Sequence, residues 1–315
     1  MTADDDHAHP PVTAHHYRWD GSLEPCLTVC SGATVEFELR DPSDGQLSPA
    51  SAAADLSALD WDRVPPVHGP VFVEGAEPGD ALLVTVKEAR PGSWGWTANL
   101  PGFGLLADDF AEPALHLWRL DPAGLAAAEF APGIVVPLKP FPGVVGVAPA
   151  AAGEHATVNP RNVGGNLDMR DLAAGATLVL PVEVPGALLS CGDGHAAQGD
   201  GEVCGTAIEV PMTLTLQLDV AKGAAPHTPR LALPGPVTHH LDARGYDVTT
   251  GIGSDLMEAS RTAVREMIAL LAAEHDLSPM DAYLLCSVCA DLRISEIVDQ
   301  PDWVVSLYFP RVVFV

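Results

Sequence analysis

Positive charge is scarce in this chain. Its 315 residues include 16 Lys and Arg against 42 Asp and Glu, which gives a formal net charge of -26. The lysines are Lys87, Lys139 and Lys222. This charge excludes a nucleic-acid backbone as the main partner, because phosphate binding needs a basic face, and it disfavours anionic membrane surfaces. The same charge can concentrate divalent cations.

Long apolar runs are also missing. No stretch approaches the roughly 20 apolar residues that a membrane-spanning helix needs. The start, MTADDDHAHPP, is acidic where a secretory signal would be basic and then apolar. We therefore predict a cytoplasmic protein. In that reducing compartment the six cysteines, including Cys26 and Cys30, are predicted to be packed thiols rather than disulfides.

Several catalytic signatures are absent. The sequence has no G-x-S-x-G nucleophile motif and no P-loop. A Ser-Ser-Lys amidase would need a lysine beside a Gly/Ser-rich segment, whereas the lysines here lie among strand residues or in a linker. A thiol nucleophile at Cys191 or Cys204 stays an alternative. Nearby carboxylates would raise the pKa of either thiol and so oppose that use.

Glycine and proline, by contrast, are abundant at 29 each, which favours many short strands over long helices. The helical period appears only near the end, where Ser254 is a plausible N-cap for one helix and Ser278-Pro279 begins a second. The chain then closes with the strand-like WVVSLYFPRVVFV. We predict an α+β fold that is mainly β: a β-sandwich or barrel-like body with a C-terminal helical pair and a closing strand.

The Pro/Gly-rich segment 222–237 resembles a linker and suggests a division of the chain. Residues 1–228 are predicted to form the β-rich body that carries the functional site. Residues 229–315 are predicted to form an α+β C-terminal part, packed with the body as one compact unit.

Two polar, glycine-rich blocks, NVGGNLD at 162–168 and GDGHAAQGDGEVCGTAIE at 192–209, concentrate carboxylates around one imidazole. No Lys or Arg lies between Asp171 and Glu209. Asp193 and His195 are spaced to share one face of a strand, and the glycines beside them leave room for a ligand. A turn within AAQGDG would bring Glu202 near them. Such a cluster suggests a divalent-metal or proton-handling site.

Three interpretations of this spacing stay open. Asp168, Asp193 and His195 could hold Zn²⁺, with Glu202 or Glu209 as general base. The oxygen-rich set could instead hold a structural Ca²⁺ in a non-catalytic ligand-binding protein. In the third interpretation the glycines are ordinary turns and His195 is a hydrogen-bonded core histidine.

Two residues upstream could support this site. Glu74 lies in the apolar strand VFVEG, where a carboxylate must face solvent or be paired. His68 stands just before that strand. The Gly/Trp-rich segment 91–112 follows, and its Trp94, Trp96 and Phe103 could form the wall of a pocket or cover the sheet.

Taken jointly, several blocks resemble the acetamidase/formamidase family, from about Tyr17 to Phe309. They are VFVEGAEPGDALLV, PGFGLLADDF, PFPGVVGVAP, NVGGNLDMRDL, VPGALLSCGDGHAAQGDGEVCGTAIE and the C-terminal DLMEASRTAVREM and DAYLLCSVCADLRISEIV. The resemblance implies a β-rich α+β hydrolase that cleaves short aliphatic amides to carboxylate and ammonia. It also implies a divalent-metal site and a cytoplasmic homo-oligomer.

The family's acidic and histidine positions match Asn166, Asp168, Asp193, His195, Glu202 and Glu74 of this chain. Two departures stand out. Val163 replaces a histidine that the family often carries before Gly-Gly, and residues 65–70 read Pro-Pro-Val-His-Gly-Pro in place of Asn-Pro-x-Thr-Gly-Pro.

We therefore predict a metal-dependent amidase for a small linear amide, with Zn²⁺ as the first candidate metal and Ca²⁺ as the second. Asp168, Asp193 and His195 are the predicted ligands. Glu202 is the predicted proton carrier, and Asn166 or a backbone N–H is predicted to stabilise the oxyanion. Supporting contacts are predicted from Glu74, His68 and Glu209. The alternative from another class is the non-catalytic calcium-binding protein.

Overall fold

The computed structural model describes residues 9–121 and 126–315. The first eight residues, on which the predicted compartment partly depends, lie outside this description. In the described part of the chain, no helix combines the length and the apolar character needed to cross a bilayer.

Strands make up most of the regular structure, and two α-helices lie near the end of the chain. The helices are α1 (Leu256–His275) and α2 (Pro279–Cys289). The strands of the described residues are β1 (His15–His16), β2 (Arg18–Trp19), β3 (Leu27–Val29), β4 (Thr34–Leu39), β5 (Val67–Val73), β6 (Ala81–Pro91), β7 (Trp94–Asn99), β8 (Ala114–Arg119), β9 (Ala127–Ala131), β10 (Ile134–Pro137), β11 (Phe141–Gly146), β12 (His155–Ala156), β13 (Gly164–Asn166), β14 (Thr177–Pro181), β15 (Leu189–His195), β16 (Glu209–Val210), β17 (Met212–Ala221), β18 (Arg230–Ala232), β19 (Tyr246–Gly253), β20 (Asp291–Glu296) and β21 (Trp303–Pro310).

Two large sheets form the body. One follows the order β1-β5-β15-β16-β7-β8, with β3 paired to β5 and β11 linking β15 to β13. The other follows β18-β14-β6-β17-β4. Their inner faces share one continuous core because the strands alternate: Leu214, Leu216 and Leu218 of β17 are fully buried, while the intervening polar residues face outward. Among the described residues neither sheet closes into a barrel.

The C-terminal part has its own sheet, β19-β21-β20, with α1 against one face. The predicted fold class is thus confirmed, including the helical pair and the closing strand. The predicted N-cap Ser254 is wrong by one residue, because Asp255 accepts the Glu258 backbone N–H at 2.9 Å. Ser278 does cap α2, accepting from Asp281 N at 3.0 Å, with Pro279 at the first helical position.

All six cysteines are free. Four of them are buried, as predicted: Cys191, Cys204, Cys286 and Cys289. Cys26 and Cys30 are exposed, so the prediction that they pack in the core is wrong. They lie on either side of the short edge strand β3, where only Val29 is fully covered.

Helix α2 packs against the loop 199–206, which is part of the second glycine-rich block (residues 192–209). The Ser287 hydroxyl accepts the Cys204 backbone N–H at 3.1 Å and donates to the Thr206 carbonyl at 2.7 Å. The Tyr283 hydroxyl donates to the Val203 carbonyl at 2.5 Å. Three backbone groups of this loop are therefore held by side chains from the C-terminal part of the chain.

A buried ion pair fastens the other block to the same part. Arg170 lies two residues after Asp168, and its guanidinium contacts Asp291 at the start of β20 through both of its terminal nitrogens. Both side chains are almost completely buried. Arg293 donates to the same carboxylate at 2.8 Å. The two glycine-rich blocks are thus both attached to residues beyond 280.

Candidate active site

His195 is the last residue of β15, and its position is fixed by strand pairing on both sides. It lies opposite Phe141 of β11 and opposite Glu209 of β16. The register therefore brings Glu209 beside His195, although 14 positions separate them in sequence. His195 Nε2 is 3.1 Å from Glu209 Oε2 and 3.4 Å from Asp193 Oδ2.

Asp168 reaches the same place from the turn after β13. The Leu167 and Asp168 backbone N–H groups both donate to the Gly143 carbonyl, at 3.1 and 3.2 Å. Asn166 Nδ2 donates to Asp168 Oδ2 at 2.8 Å. The turn thus presents Asp168 Oδ1 to His195, 4.0 Å from Nδ1.

Three acids of the cluster adopt the left-handed backbone region that non-glycine residues rarely enter. The φ angles are 46° at Asp168, 59° at Asp193 and 45° at Glu202. Each such residue costs about 1–3 kcal/mol and persists only where the surrounding structure enforces it. Their convergence on one imidazole is typical of a functional site.

Gln198 determines which nitrogen of His195 carries the proton when the ring is neutral. Its Nε2 donates to the Asp168 carbonyl at 2.8 Å, so its Oε1 faces His195 Nδ1 at 2.9 Å. An acceptor at Nδ1 requires that Nδ1 hold the hydrogen. The Nε2 lone pair is then directed at the carboxylates, which is the arrangement of a metal-ligating histidine.

Several polar atoms in this centre are buried without a hydrogen-bond partner. They are Asp168 Oδ1, His195 Nε2, Glu209 Oε2 and Asn166 Oδ1. The 3.1 Å approach of His195 to Glu209 does not have the geometry of a hydrogen bond. Buried polar atoms ordinarily have partners, so the donors and acceptors of this group are available to bind a ligand.

Four carboxylates surround one imidazole, and burial together with their negative charge shifts the pKa values of Asp168, Glu202 and His195. Burial, and then Asp193, raise the pKa of Asp168 to about 8. Burial likewise raises the pKa of Glu202, and next in importance is the charge of Asp168. Burial lowers the pKa of His195, but Glu209 and Asp193 outweigh it and raise that pKa well above its ordinary value. A proton and a cation would use the same Nε2 lone pair.

Gly143 leaves space at the middle of this cluster. A Cβ atom on this residue would lie 2.6 Å from Asp168 Oδ1, 2.8 Å from Asp193 Oδ2 and 2.8 Å from His195 Cε1. Any other residue would occupy the gap between the two aspartates. Asp168, Asp193 and His195 present ligand atoms that lie within 4.8 Å of one another, as do His195, Glu202 and Glu209.

The cluster opens into a cavity of about 530 Å³. Asn166, Asp168, Asp193, Glu202 and Glu209 line its polar end. The rest of the wall is mostly apolar and includes Trp96 and Phe103 from the Gly/Trp-rich segment. A concave, mostly apolar site with a few converging polar groups is typical of a small-molecule binding site.

Two of the predicted supporting residues lie apart from this cavity. Glu74 is exposed in the turn after β5, where it faces solvent. His68 is fully buried, but its Nε2 accepts the Arg40 backbone N–H at 3.2 Å and its ring stands 5.5 Å from the His15 ring. Neither residue is part of the cavity wall. Glu209, the third supporting residue, contacts His195 directly.

The two candidate thiols are buried away from the cavity. Burial raises the pKa of the Cys204 thiol to about 11 and that of Cys191 well above its ordinary value. Cys204 Sγ faces the carbonyl groups of Ala98 and Thr206. This environment opposes a thiolate nucleophile at either position.

Neither Gln198 nor Gly143 was assigned a role from the sequence. Gln198 follows His195 by three residues, so the only signal for it is its place in the glycine-rich block. Gly143 lies in PFPGVVGVAP, where a glycine inside a strand indicates the close approach of another group.

Comparison with known proteins finds matches over nearly the whole chain. The model of the Acetamidase/Formamidase family matches residues 4–155 and 150–315. A formamidase from Methylophilus methylotrophus is 28% identical over 365 residues, covering 95% of this chain and 89% of the formamidase. The structure of a gamma lactamase from Delftia acidovorans has a TM-score of 0.88 at 25% identity, covering 95% of this chain and 89% of the lactamase. An acetamidase structure from Bacillus halodurans is 32% identical with a TM-score of 0.66, covering 94% and 95% of the two chains.

The chain belongs to the acetamidase/formamidase family. It is an amidase that acts on carbon–nitrogen bonds other than peptide bonds. The non-catalytic calcium-binding protein is therefore set aside as an account of the chain.

Proposed function

We propose that this chain is a metal-dependent amidase that cleaves linear amides, of which formamide and acetamide are the simplest, to a carboxylate and ammonia. One observation supports a bound metal. Asp168 Oδ1 and His195 Nε2 are buried without hydrogen-bond partners, around a gap that only a glycine at position 143 leaves open. An oxygen–oxygen–nitrogen donor set beside such a gap fits a divalent cation.

The residues that would hold the cation are Asp168, Asp193 and His195. When bound, the cation supplies positive charge that polarises a carbonyl group and acidifies water. The imidazole nitrogen favours Zn²⁺ over Ca²⁺, because Ca²⁺ takes oxygen ligands almost exclusively. Gln198 would keep the His195 Nε2 lone pair directed at the ion.

Glu202 is the proposed proton carrier. It lines the polar end of the cavity, and its carboxylate lies within 4.8 Å of ligand atoms on His195 and Glu209. Burial raises its pKa, which brings the carboxyl group closer to the range in which it can both accept and return a proton. It would take the proton of the attacking water and pass it to the departing nitrogen.

Asn166 is the proposed oxyanion donor. One N–H of its amide is used on Asp168 Oδ2 at 2.8 Å, and the amide has a second N–H. The residue lines the cavity beside the aspartates, so this second hydrogen could reach a substrate oxygen there.

The remaining parts of the proposal come from composition and from the family. A cytoplasmic location is what the family resemblance implies, and so is a homo-oligomer. The partner is a small neutral amide, which the net charge of -26 does not repel.

The test is ammonia release from formamide and acetamide by protein of known metal content. The protein is assayed as purified, after chelation, and after addition of Zn²⁺ or Ca²⁺. We expect activity to disappear with the metal and to return with Zn²⁺. Undiminished ammonia release by metal-free protein would overturn the metal-dependent mechanism.

A further inference from the structure

The cavity has far more room than the smallest amides need. A water molecule occupies about 30 Å³ of liquid, and acetamide roughly three times as much. The cavity measures about 530 Å³, within the range of about 300–1,000 Å³ that is typical of sites for larger ligands. Formamide or acetamide at the carboxylate end would therefore leave most of the cavity unfilled.

The unfilled part is apolar. Leu59, Val64, Leu100 and Leu105 form much of its wall beyond the carboxylates. Tyr, Arg and Lys side chains are absent from the wall formed by the described residues. A substrate group that extends into this space would therefore meet aliphatic and aromatic surface.

The mouth of the cavity is apolar as well as exposed. Trp61, Phe103, Val158 and Met257 come from four separate segments, and each is 41% to 53% exposed. Isolated exposed apolar side chains are common, but a cluster of them around one opening indicates a surface that binds an apolar group. Met257 belongs to α1, so the C-terminal part of the chain contributes to this rim.

We propose that the substrate is a primary amide whose acyl group is an uncharged alkyl or arylalkyl chain, long enough to reach from the carboxylates to the apolar wall. This inference rests on the proposed amidase function. The NH₂ group is a hydrogen-bond donor and matches the carboxylate acceptors at the polar end, which leaves the apolar wall for the acyl side. Water adds through its oxygen to the carbonyl carbon, the C–N bond breaks, and the nitrogen leaves with the transferred proton as ammonia.

Charge restricts the acyl group further. An anionic group at the far end of the acyl chain would be buried against this aliphatic and aromatic wall, where the described residues offer no Lys or Arg as a countercharge. The geometry thus favours uncharged acyl chains.

The experiment compares kcat/KM for acetamide, butyramide, hexanamide, 3-phenylpropionamide and the anionic succinamate, using metal-loaded protein. Each fully buried methylene contributes roughly a fourfold preference, so we expect at least a tenfold rise from acetamide to hexanamide. Succinamate should be at least tenfold poorer than butyramide. A value that stays flat or falls from acetamide to hexanamide overturns this inference and leaves the amidase function standing. Absence of ammonia from every amide overturns the amidase function itself.

Three exposed positions supply two variants at the mouth and one matched control. Trp61→Ala removes apolar surface from the mouth, whereas Ile252→Ala removes it from an exposed site on β19 that is 67% exposed and outside the cavity. We expect the hexanamide-to-acetamide ratio of kcat/KM to fall about tenfold in Trp61→Ala and in Met257→Ala. Ile252→Ala should keep the wild-type ratio. An unchanged ratio in both mouth variants would overturn the assigned role of this wall.

Discussion

A Cβ atom on Gly143 would stand 2.6 Å from Oδ1 of Asp168, well inside the distance that real Cβ atoms keep from oxygen. The φ angle of Gly143 is one that any residue can adopt, so the glycine is needed for space rather than for backbone freedom. Its carbonyl also holds the turn that carries Asp168. Gly143 therefore leaves open the gap between Asp168, Asp193 and His195, the proposed metal ligands.

We expect Gly143→Ala to lose at least about 100-fold in kcat/KM for acetamide together with its bound metal, because displacing a reacting group by about 1 Å costs about that much. The measurements are ammonia release and elemental analysis. Gly253→Ala is the matched control, since a Cβ there meets nothing within 4 Å and the φ angle is again ordinary. A Gly143→Ala protein with normal metal content and activity would contradict the assignment.

The orientation of His195 gives a second prediction. Gln198→Leu removes the acceptor at His195 Nδ1 and the donor to the Asp168 backbone carbonyl, while every carboxylate side chain stays in place. Loss of such a supporting contact typically weakens metal affinity 10- to 100-fold, and we expect a decrease of about that size for Zn²⁺, measured by competition with a chelator. Gln217→Leu, on the outer face of β17, should leave the affinity unchanged. Equal Zn²⁺ affinity in the two variants would mean that Gln198 does not orient the ligand.

The buried ion pair between Arg170 and Asp291 predicts a large loss of stability. Asp291→Asn removes the carboxylate that Arg170 and Arg293 share and leaves the buried Arg170 guanidinium only the half-exposed Asp200, 3.3 Å away, so we expect a loss toward the lower end of the typical range of about 3–5 kcal/mol. Asp247→Asn breaks the exposed pair with Arg311 and should cost less than about 1 kcal/mol. Urea unfolding of both variants measures the difference. If the two variants have similar free energies of unfolding, the buried Arg170–Asp291 pair stabilises the fold no more than the exposed Asp247–Arg311 pair does.

The pH dependence of stability follows from His68. Burial lowers its pKa to about 4, and the charges of His15 and Arg40 act in the same direction. The unfolded chain binds a proton on this side chain near pH 6.5, whereas the folded chain stays neutral there until about pH 4. As the pH falls through that window, the unfolded state gains protons first, so this residue reduces the free energy of unfolding by up to about 1.4 kcal/mol per pH unit.

His68→Gln removes the titrating group but keeps an acceptor for the Arg40 backbone N–H. We expect its unfolding free energy to fall less steeply than that of the wild type between pH 6.5 and 4, measured by urea unfolding at several pH values. His227→Gln, at an exposed position, should keep the wild-type slope. Parallel curves for His68→Gln and the wild type would refute the role given to His68.

Spacing alone predicted that Asp193 and His195 would meet, because both end one strand. It could not place Glu209 beside His195, since that contact depends on the pairing of β15 with β16. His68 lies beside β15, opposite Cys191. The positive φ at Asp193 interrupts the regular alternation of β15 side chains between the two faces of the sheet. The face that His68 occupies therefore could not be obtained by counting residues.

The environment of Glu74 depends on the residue at which β5 ends. The sequence leaves two states for it, solvent-facing or paired, and β5 ends at Val73, so the carboxylate falls in the exposed turn. Gly143 was missed because its importance depends on other segments of the chain. Its importance arises from two aspartates that approach from segments distant in sequence, which no local pattern records.

The hydrogen bonds that Ser287 and Tyr283 make to the loop 199–206, and the pair between Arg170 and Asp291, have a consequence for biosynthesis. A ribosome delivers the glycine-rich blocks long before it delivers residues 283–291. The nascent chain can begin to fold its strands, but both blocks lack their C-terminal anchors until translation is nearly finished. A message that ends early would therefore yield a polypeptide that contains every proposed metal ligand and still lacks an assembled centre.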